Sequence, residues 1–355
     1  MTYRILTRMG DGERVTMSAA EIKEDISEGI RDAAQSAEIP ELTAGESEQL
    51  FNIMAEPSRT VSVSAGEEVV VTDDGCSMSF YAGQDSSGIG VPLSRMQAIL
   101  TYERACAADT TSIGHSDYSF KPVKPIINFE MNEYYTTSMM TTAPLFYGAQ
   151  PNMGLYFQPD GPYPNPADLL PQGKIKEACE TQEAAAEQLR NDIVFVGKKL
   201  NSIGCEGLNL DTCGSAGDAD LLAALQAVAD LKKATPDMPV IMGGSGEFVL
   251  GMHGDVAFDG KRLAGMYPQD QAKVAESAGA SIYGVAINTN TNKSAAWNIA
   301  RAVALVKAAV AAVDIPIHVN VGMGVGGVPM MEAPPIDTVT RASKSLVQIG
   351  KADGL

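Results

Sequence analysis

Histidine, tryptophan and paired cysteine are scarce in this chain. Its 355 residues hold three histidines, one tryptophan and five cysteines. Cys76, Cys106, Cys179, Cys205 and Cys213 form an odd set with no CxxC pair, so a disulfide framework or structural zinc site has no support and they read as reduced thiols. His115, His253 and His318 stand far apart with no pair at helical spacing, and no metal is expected. Bases are few as well: 26 Lys and Arg face 44 Asp and Glu, a formal charge of -18, which argues against direct binding to nucleic acid or an anionic membrane face. Runs of about 18 apolar residues are missing, and Met1 to Gly12 lacks the apolar core of a signal peptide. A cytoplasmic protein without membrane association is expected.

What the chain does contain is a repeating texture. Ser18 to Ile39 and Glu46 to Ala55 read as amphipathic helices, and Thr60 to Thr72 alternates apolar and polar residues as a hairpin would. Further along, short apolar runs end in polar or glycine-rich loops, the pattern of buried parallel strands. They are Pro125 to Phe129, Pro144 to Gly148, Gly207 to Thr212, Pro239 to Gly243, Ser281 to Asn288 and Ile315 to Gly322. Between the later runs lie helical stripes: Leu221, Leu222, Leu225 and Val228 behind Asp218, then Ile299, Val303, Val306, Val310 and Val313 behind Asn292 or Ser294. Repeated βα units predict an α/β fold, a TIM-type (β/α)8 barrel. An open doubly wound sheet is the runner-up. Residues 1–110 are expected to be an N-terminal helical and hairpin extension, and residues 111–355 the barrel.

The last stretch, Ile336 to Gly354, carries Val339, Ala342, Leu346 and Ile349 on one helical face, and Leu355 stands where each earlier unit begins a strand. The barrel is therefore expected to be incomplete at its C-terminus, lacking its last one or two strands, with two exposed edges that make the 355-residue product inactive and poorly stable.

In a barrel, reacting groups collect on the loops after the strand C-termini. Those loops hold Asp211, Thr212 and Cys213; then Gly243 to Glu247; then Asn288 to Asn292; then Asn320 and Gly322 to Gly327. Tyr147 ends an earlier strand. The loops carry no base before Lys293, so they favour a cationic or hydrogen-bond-donating substrate, such as an amine, over a phosphate ester. Asn and Asp at strand ends also cap helices and close turns. Glu247, on a glycine loop, is the candidate proton donor. Asp211 and Asn288 are candidates to orient an ammonium, with Tyr147 and Asn320 beside them. His253, on a loop near Glu247, is a candidate for acid-base work, while His318 reads as packed within its strand. Gly322 to Gly327 matches G-x-G-x-x-G, but Pro329, Pro334 and Pro335 delay the next helix, which a pyrophosphate loop does not allow.

Several segments closely resemble the dimethylamine:corrinoid methyltransferases. They are Gly114-His-Ser-Asp-Tyr-Ser-Phe-Lys-Pro-Val-Lys-Pro125, Pro151-Asn-Met-Gly-Leu155, Val249-Leu-Gly-Met-His-Gly254, Asn288-Thr-Asn-Thr-Asn-Lys293, Gly322-Met-Gly-Val-Gly-Gly-Val-Pro329 and Pro334-Pro-Ile-Asp-Thr-Val-Thr-Arg-Ala-Ser-Lys344. The resemblance runs from Arg8 to Leu355. It implies an in-frame amber codon read as pyrrolysine directly after Leu355, whose imine carbon forms an adduct with dimethylamine. It also implies methyl transfer to the Co(I) corrinoid of a cognate carrier protein, giving monomethylamine. No cofactor is then bound directly by this chain, the corrinoid being supplied by the partner, and a homo-oligomer is expected. The alternatives are a barrel lyase or aldolase-like enzyme, which needs a lysine or metal in the mouth, and an inactive fragment that only docks the corrinoid protein.

Overall fold

The computed structural model describes residues 4–67, 69, 153–205, 207–322, 324–331 and 334–355, and the backbone alone of 72–73, 77–80, 89–92, 113–116 and 145–148. The chain opens with an antiparallel hairpin, β1 (Arg4–Arg8) against β2 (Arg14–Ser18), in which Arg8 pairs with Arg14. Two helices follow, α1 (Ala19–Ala37) and α2 (Ala44–Ala55). Each starts in a capping box, Ser18 with Glu21 and Thr43 with Glu46, so two donors at each N-terminus are satisfied reciprocally. Both helices stand where the periodicity placed them. Of the hairpin expected at Thr60 to Thr72, the described residues 61–64 are irregular and pair with no strand, and residues 68, 70 and 71 lie outside the described residues; the N-terminal hairpin is β1–β2. Asp11 and Gly12 were its sequence signal, with Gly12 at a φ of 92°.

Among the described residues the central sheet has seven strands, each pairing parallel with its neighbours. They are β3 (Thr72–Asp73), β6 (Ile113–Ser116), β7 (Leu145–Gly148), β8 (Gly207–Cys213), β9 (Val240–Gly244), β12 (Ile282–Val285) and β13 (Ile317–Val319). Two small antiparallel pairs stand apart from it: β4 (Ser77–Phe80) with β5 (Ile89–Pro92), and β10 (Ala257–Phe258) with β11 (Lys261–Arg262). The seven strands lie side by side in chain order. A doubly wound sheet reverses its order at a switch point, and no reversal occurs among the described pairings. Beyond β13 the backbone is taken up once more: Asp353 N donates to Ile317 O at 2.8 Å, Val319 N donates to Gly354 O at 3.0 Å, and Gly354 bridges His318 in parallel. The fold is therefore a mixed α/β one around a mostly parallel sheet. Five of the expected strands are present within two or three residues. Pro125 to Phe129 lies outside the described residues, and β3 and β6 were not anticipated. Thr72–Asp73 joins this sheet although it precedes residue 111.

Helices cover the outer face: α3 (Ile175–Ser202), α4 (Asp218–Ala234), α5 (Pro268–Ala278), α6 (Ala295–Val310) and α7 (Ile336–Gln348). Leu208, Leu210, Val240 and Met242 are fully buried on the strands. Helix α6 is buried on nearly every side because it lies between the sheet and α1. Its alanines let α1 come close, and the closest point is Gly29, where an added Cβ would stand 2.3 Å from the Trp297 carbonyl oxygen. Burial of Ile22, Ile26, Ile30 and Ala33 on the same stripe ties the N-terminal helix to this contact.

Gly29→Val is expected to lower stability by about 1–3 kcal/mol through overpacking. Gly45→Ala in α2, where the added carbon meets nothing within 4 Å, is expected to raise it by up to about 1 kcal/mol. Denaturant midpoints compare them, and equal midpoints for the two variants would contradict the close α1–α6 approach.

Candidate active site

Which face of each strand looks inward follows from three contacts. Leu208 reaches Gly197 of α3, the Tyr283 hydroxyl donates to Gln271 Oε1 of α5 at 2.6 Å, and a Cβ on Gly244 would meet that hydroxyl at 2.6 Å. Those residues face the helices, so Asn209, Gly243, Gly284 and His318 occupy the opposite, inner face. Asp211, Gly243, Gly284, His318 and Gly354 are paired in register across five neighbouring segments. Three of the five are glycine, so they put no side chain into this level of the inner face. Of the expected site residues, Asp211 and Tyr147 take part through their backbones in β8 and β7, and their side chains lie outside the described residues. Asn320 follows β13, is exposed, and donates its backbone N–H to Val285 O at 3.1 Å.

Glu247 follows β9 as expected, but it is not loose. The Arg301 guanidinium forks onto both carboxylate oxygens, one contact being 3.0 Å, and Arg301 Nε donates to Asp32 Oδ2 of α1 at 2.5 Å. Arg301 is 6% exposed. Burial pulls its pKa down, while the bonds to Glu247 and Asp32 outweigh this and hold it above the ordinary arginine value. The sequence reading does not single out Arg301, although a base flanked by Ile299, Ala300, Ala302 and Val303 in α6 is a visible sign that it needs a buried acid.

Asn288 stands beside Glu247: its Oδ1 accepts from Glu247 N at 3.3 Å. The rest of that polar loop is structural. Thr289 Oγ1 donates to Val328 O at 2.7 Å, Asn298 Oδ1 accepts from Asn290 N at 2.8 Å, and Gly10 N donates to Lys293 O at 2.7 Å, which docks the N-terminal hairpin on the loop. Of the glycine run, residues 324–327 form a turn that packs on α6, where an added Cβ on Gly327 would lie 2.7 Å from Ile299. It does not open into a helix, since α7 starts only at Ile336.

His253 is placed outside the inner level. Its ring is 4% exposed between α3 and the start of α4, with Nδ1 at 3.2 Å from Asp218 Oδ1 and Nε2 at 3.2 Å from Cys179 O. Both nitrogens are engaged, so the ring latches the loop after β9 onto two helices. Cys213 is buried, its thiol donating to Leu210 O at 3.3 Å. Asp220, also in the first turn of α4, is buried completely. That burial pushes its pKa up to about 6, although N–H groups of Ala216, Gly214 and Ser215 and the Ser215 hydroxyl pull the other way. Among the described residues, no group of three or more His, Cys, Asp or Glu is disposed to hold a metal.

Folded Asp220 keeps its proton up to about pH 6, whereas the unfolded chain releases it near 3.8. The native state therefore binds more protons over that interval, and stability falls as pH rises through it. The loss amounts to about 3 kcal/mol at about 1.4 kcal/mol per pH unit, and is complete above about pH 7. Measured as the unfolding free energy of the parent minus that of Asp220→Asn, it should appear as a decline from about pH 4 to 7. A flat difference would contradict it.

A protein-family model described as dimethylamine methyltransferase (Dimeth_PyL) matches residues 3–355, essentially the whole chain. No helix among the described residues is long and apolar enough to cross a membrane. The chain belongs to the dimethylamine methyltransferase family.

Proposed function

We propose that this protein moves one methyl group from dimethylamine to the Co(I) corrinoid of a separate carrier protein, releasing monomethylamine, by way of an adduct on a pyrrolysine that follows Leu355. The observation that carries the reading is a register. Gly354 bridges His318 in parallel, so the next position on the same face stands level with Asn320 and looks onto the open inner level. A reactive side chain there would emerge among the polar loops, as the activity of a barrel's C-terminal face requires. The remaining strands that complete the barrel would follow from the same point.

The corrinoid supplies a strong nucleophile for the methyl carbon and stays with its carrier, so this chain's task is to bind the amine, orient it and place protons. An amine is a poor leaving group, which makes positioning and protonation the main sources of rate. Asn288 and Asp211 are proposed to orient the ammonium, with Asn320 and Tyr147 at the rim. Glu247 remains the proposed proton donor, with one condition set by geometry. Arg301 forks onto both carboxylate oxygens, so the guanidinium must give up one of them for that oxygen's inward-facing lone pair to meet the substrate. His253, locked between α3 and α4, is proposed to hold the Glu247 loop in place and not to contact substrate.

The gene product carrying its residue 356, mixed with the reduced carrier protein, should methylate cobalt with dimethylamine and release monomethylamine. Glu247→Gln should slow that transfer about 100-fold. Cobalt methylation from trimethylamine but not from dimethylamine would contradict the substrate, and unchanged turnover in Glu247→Gln would remove that residue from the chemistry.

A further inference from the structure

His318 was expected to be packed inside its strand. It lies on the inner face, at the level where its neighbours are glycine. A Cβ on Gly284 would stand 2.5 Å from His318 Nε2, 2.7 Å from Cε1 and 3.2 Å from the Gly243 Cα. The imidazole therefore lies over Gly284, across β12 on the side toward β9, in space that any larger residue at position 284 would take. On its other side stands Gly354, again without a side chain. The ring is half-buried, in contrast to Ile317 and Val319 on the outer face, which are wholly buried against the helices. One step further along the same face comes Asn320, about 7 Å away at about 3.3 Å per residue. An imidazole is thus held half-buried at a glycine-lined level next to the polar loops.

The substrate poses a proton problem that this ring can solve. A dialkylammonium ion, like a lysine side chain, is protonated at neutral pH and has no lone pair with which to attack an electrophile. One N–H bond must break, the electron pair staying on nitrogen and the proton leaving to a nearby base. Entry into a poorly hydrated interior favours that loss by penalising the cation. Three described carboxylates that follow β8 and β9 are engaged: Glu247 by Arg301, Asp218 by His253 and Gly254, and Asp220 by Ser215 and Ala216. Resting on the proposed function, we propose that His318 is the catalytic base that accepts this proton as dimethylamine becomes nucleophilic. An imidazole exchanges protons near neutral pH and suits the role.

Two measurements test this, and they fail separately. The chain has three histidines, so their ring Cε1–H resonances can be assigned by NMR with His318→Gln and His253→Gln. Dimethylammonium chloride should shift the His318 resonance saturably, whereas tetramethylammonium chloride at the same ionic strength, having no N–H to donate, should not. No saturable shift, or the same shift with both salts, would overturn the proposal. In the methyl-transfer assay His318→Gln should lower kcat/KM about 100-fold at neutral pH. The deficit should shrink as pH approaches 10, where solvent supplies the neutral amine. A deficit that is constant with pH, or no deficit, would also overturn it. If the parent enzyme shows no transfer from dimethylamine, the functional reading fails and the NMR titration still decides the role of the ring as a base for ammonium.

Discussion

One register level of the parallel sheet governs what stands above it. Asp211, Gly243, Gly284, His318 and Gly354 are joined across five neighbouring segments by main-chain pairing. The period of two in a strand means that a slip of one residue would exchange this set for the apolar residues on the helix side. That exchange is blocked by burial: Leu208, Leu210, Val240, Met242, Val285, Ile317 and Val319 are at most 1% exposed against the helices. The apolar outer face thus fixes the register, and the register puts Asn209, Ile241 and Ile282 on one inner level and Asp211, Gly243, Gly284 and His318 on the next.

A second constraint ties the N-terminal helices to the mouth. Arg301 lies inside α6, where removing a guanidinium from water is costly unless acids meet it. The acids come from two directions, Asp32 from α1 and Glu247 from the loop after β9. Lys307 of the same helix reaches back to Glu46 of α2, whose carboxyl it holds below the usual range. Helices that sequence alone would treat as an appendage therefore hold the loop carrying the proposed proton donor. The hairpin β1–β2 adds to this, through Gly10 against Lys293 and Arg8 against Asp337 at 3.0 Å.

Much of this was legible in the residues. Periodicity of 3.6 marked α1, α2, α4, α6 and α7, and short apolar runs marked five strands, because burial on both faces leaves that trace. Thr72–Asp73 left no trace, since two residues carry no period. The inner face was not legible either: Gly243 reads as a strand end, Gly284 as an unremarked position inside its strand, and His318 as a packed ring. Contacts brought about by folding, Tyr283 with Gln271 and Leu208 with Gly197 among them, show which way the alternation points. Glu247 was found by its place after a glycine loop, but its partner was not, because Arg301 is brought to it by helix packing and not by spacing.

The account stands on the claim that the side chain following Leu355 enters this inner level. A crystal structure of the gene product extended through residue 356 measures it directly. The account predicts residue 356 level with Asn320 and on the same face as His318. A side chain at 356 turned outward beside Ile317 and Val319, into the helices, would contradict it.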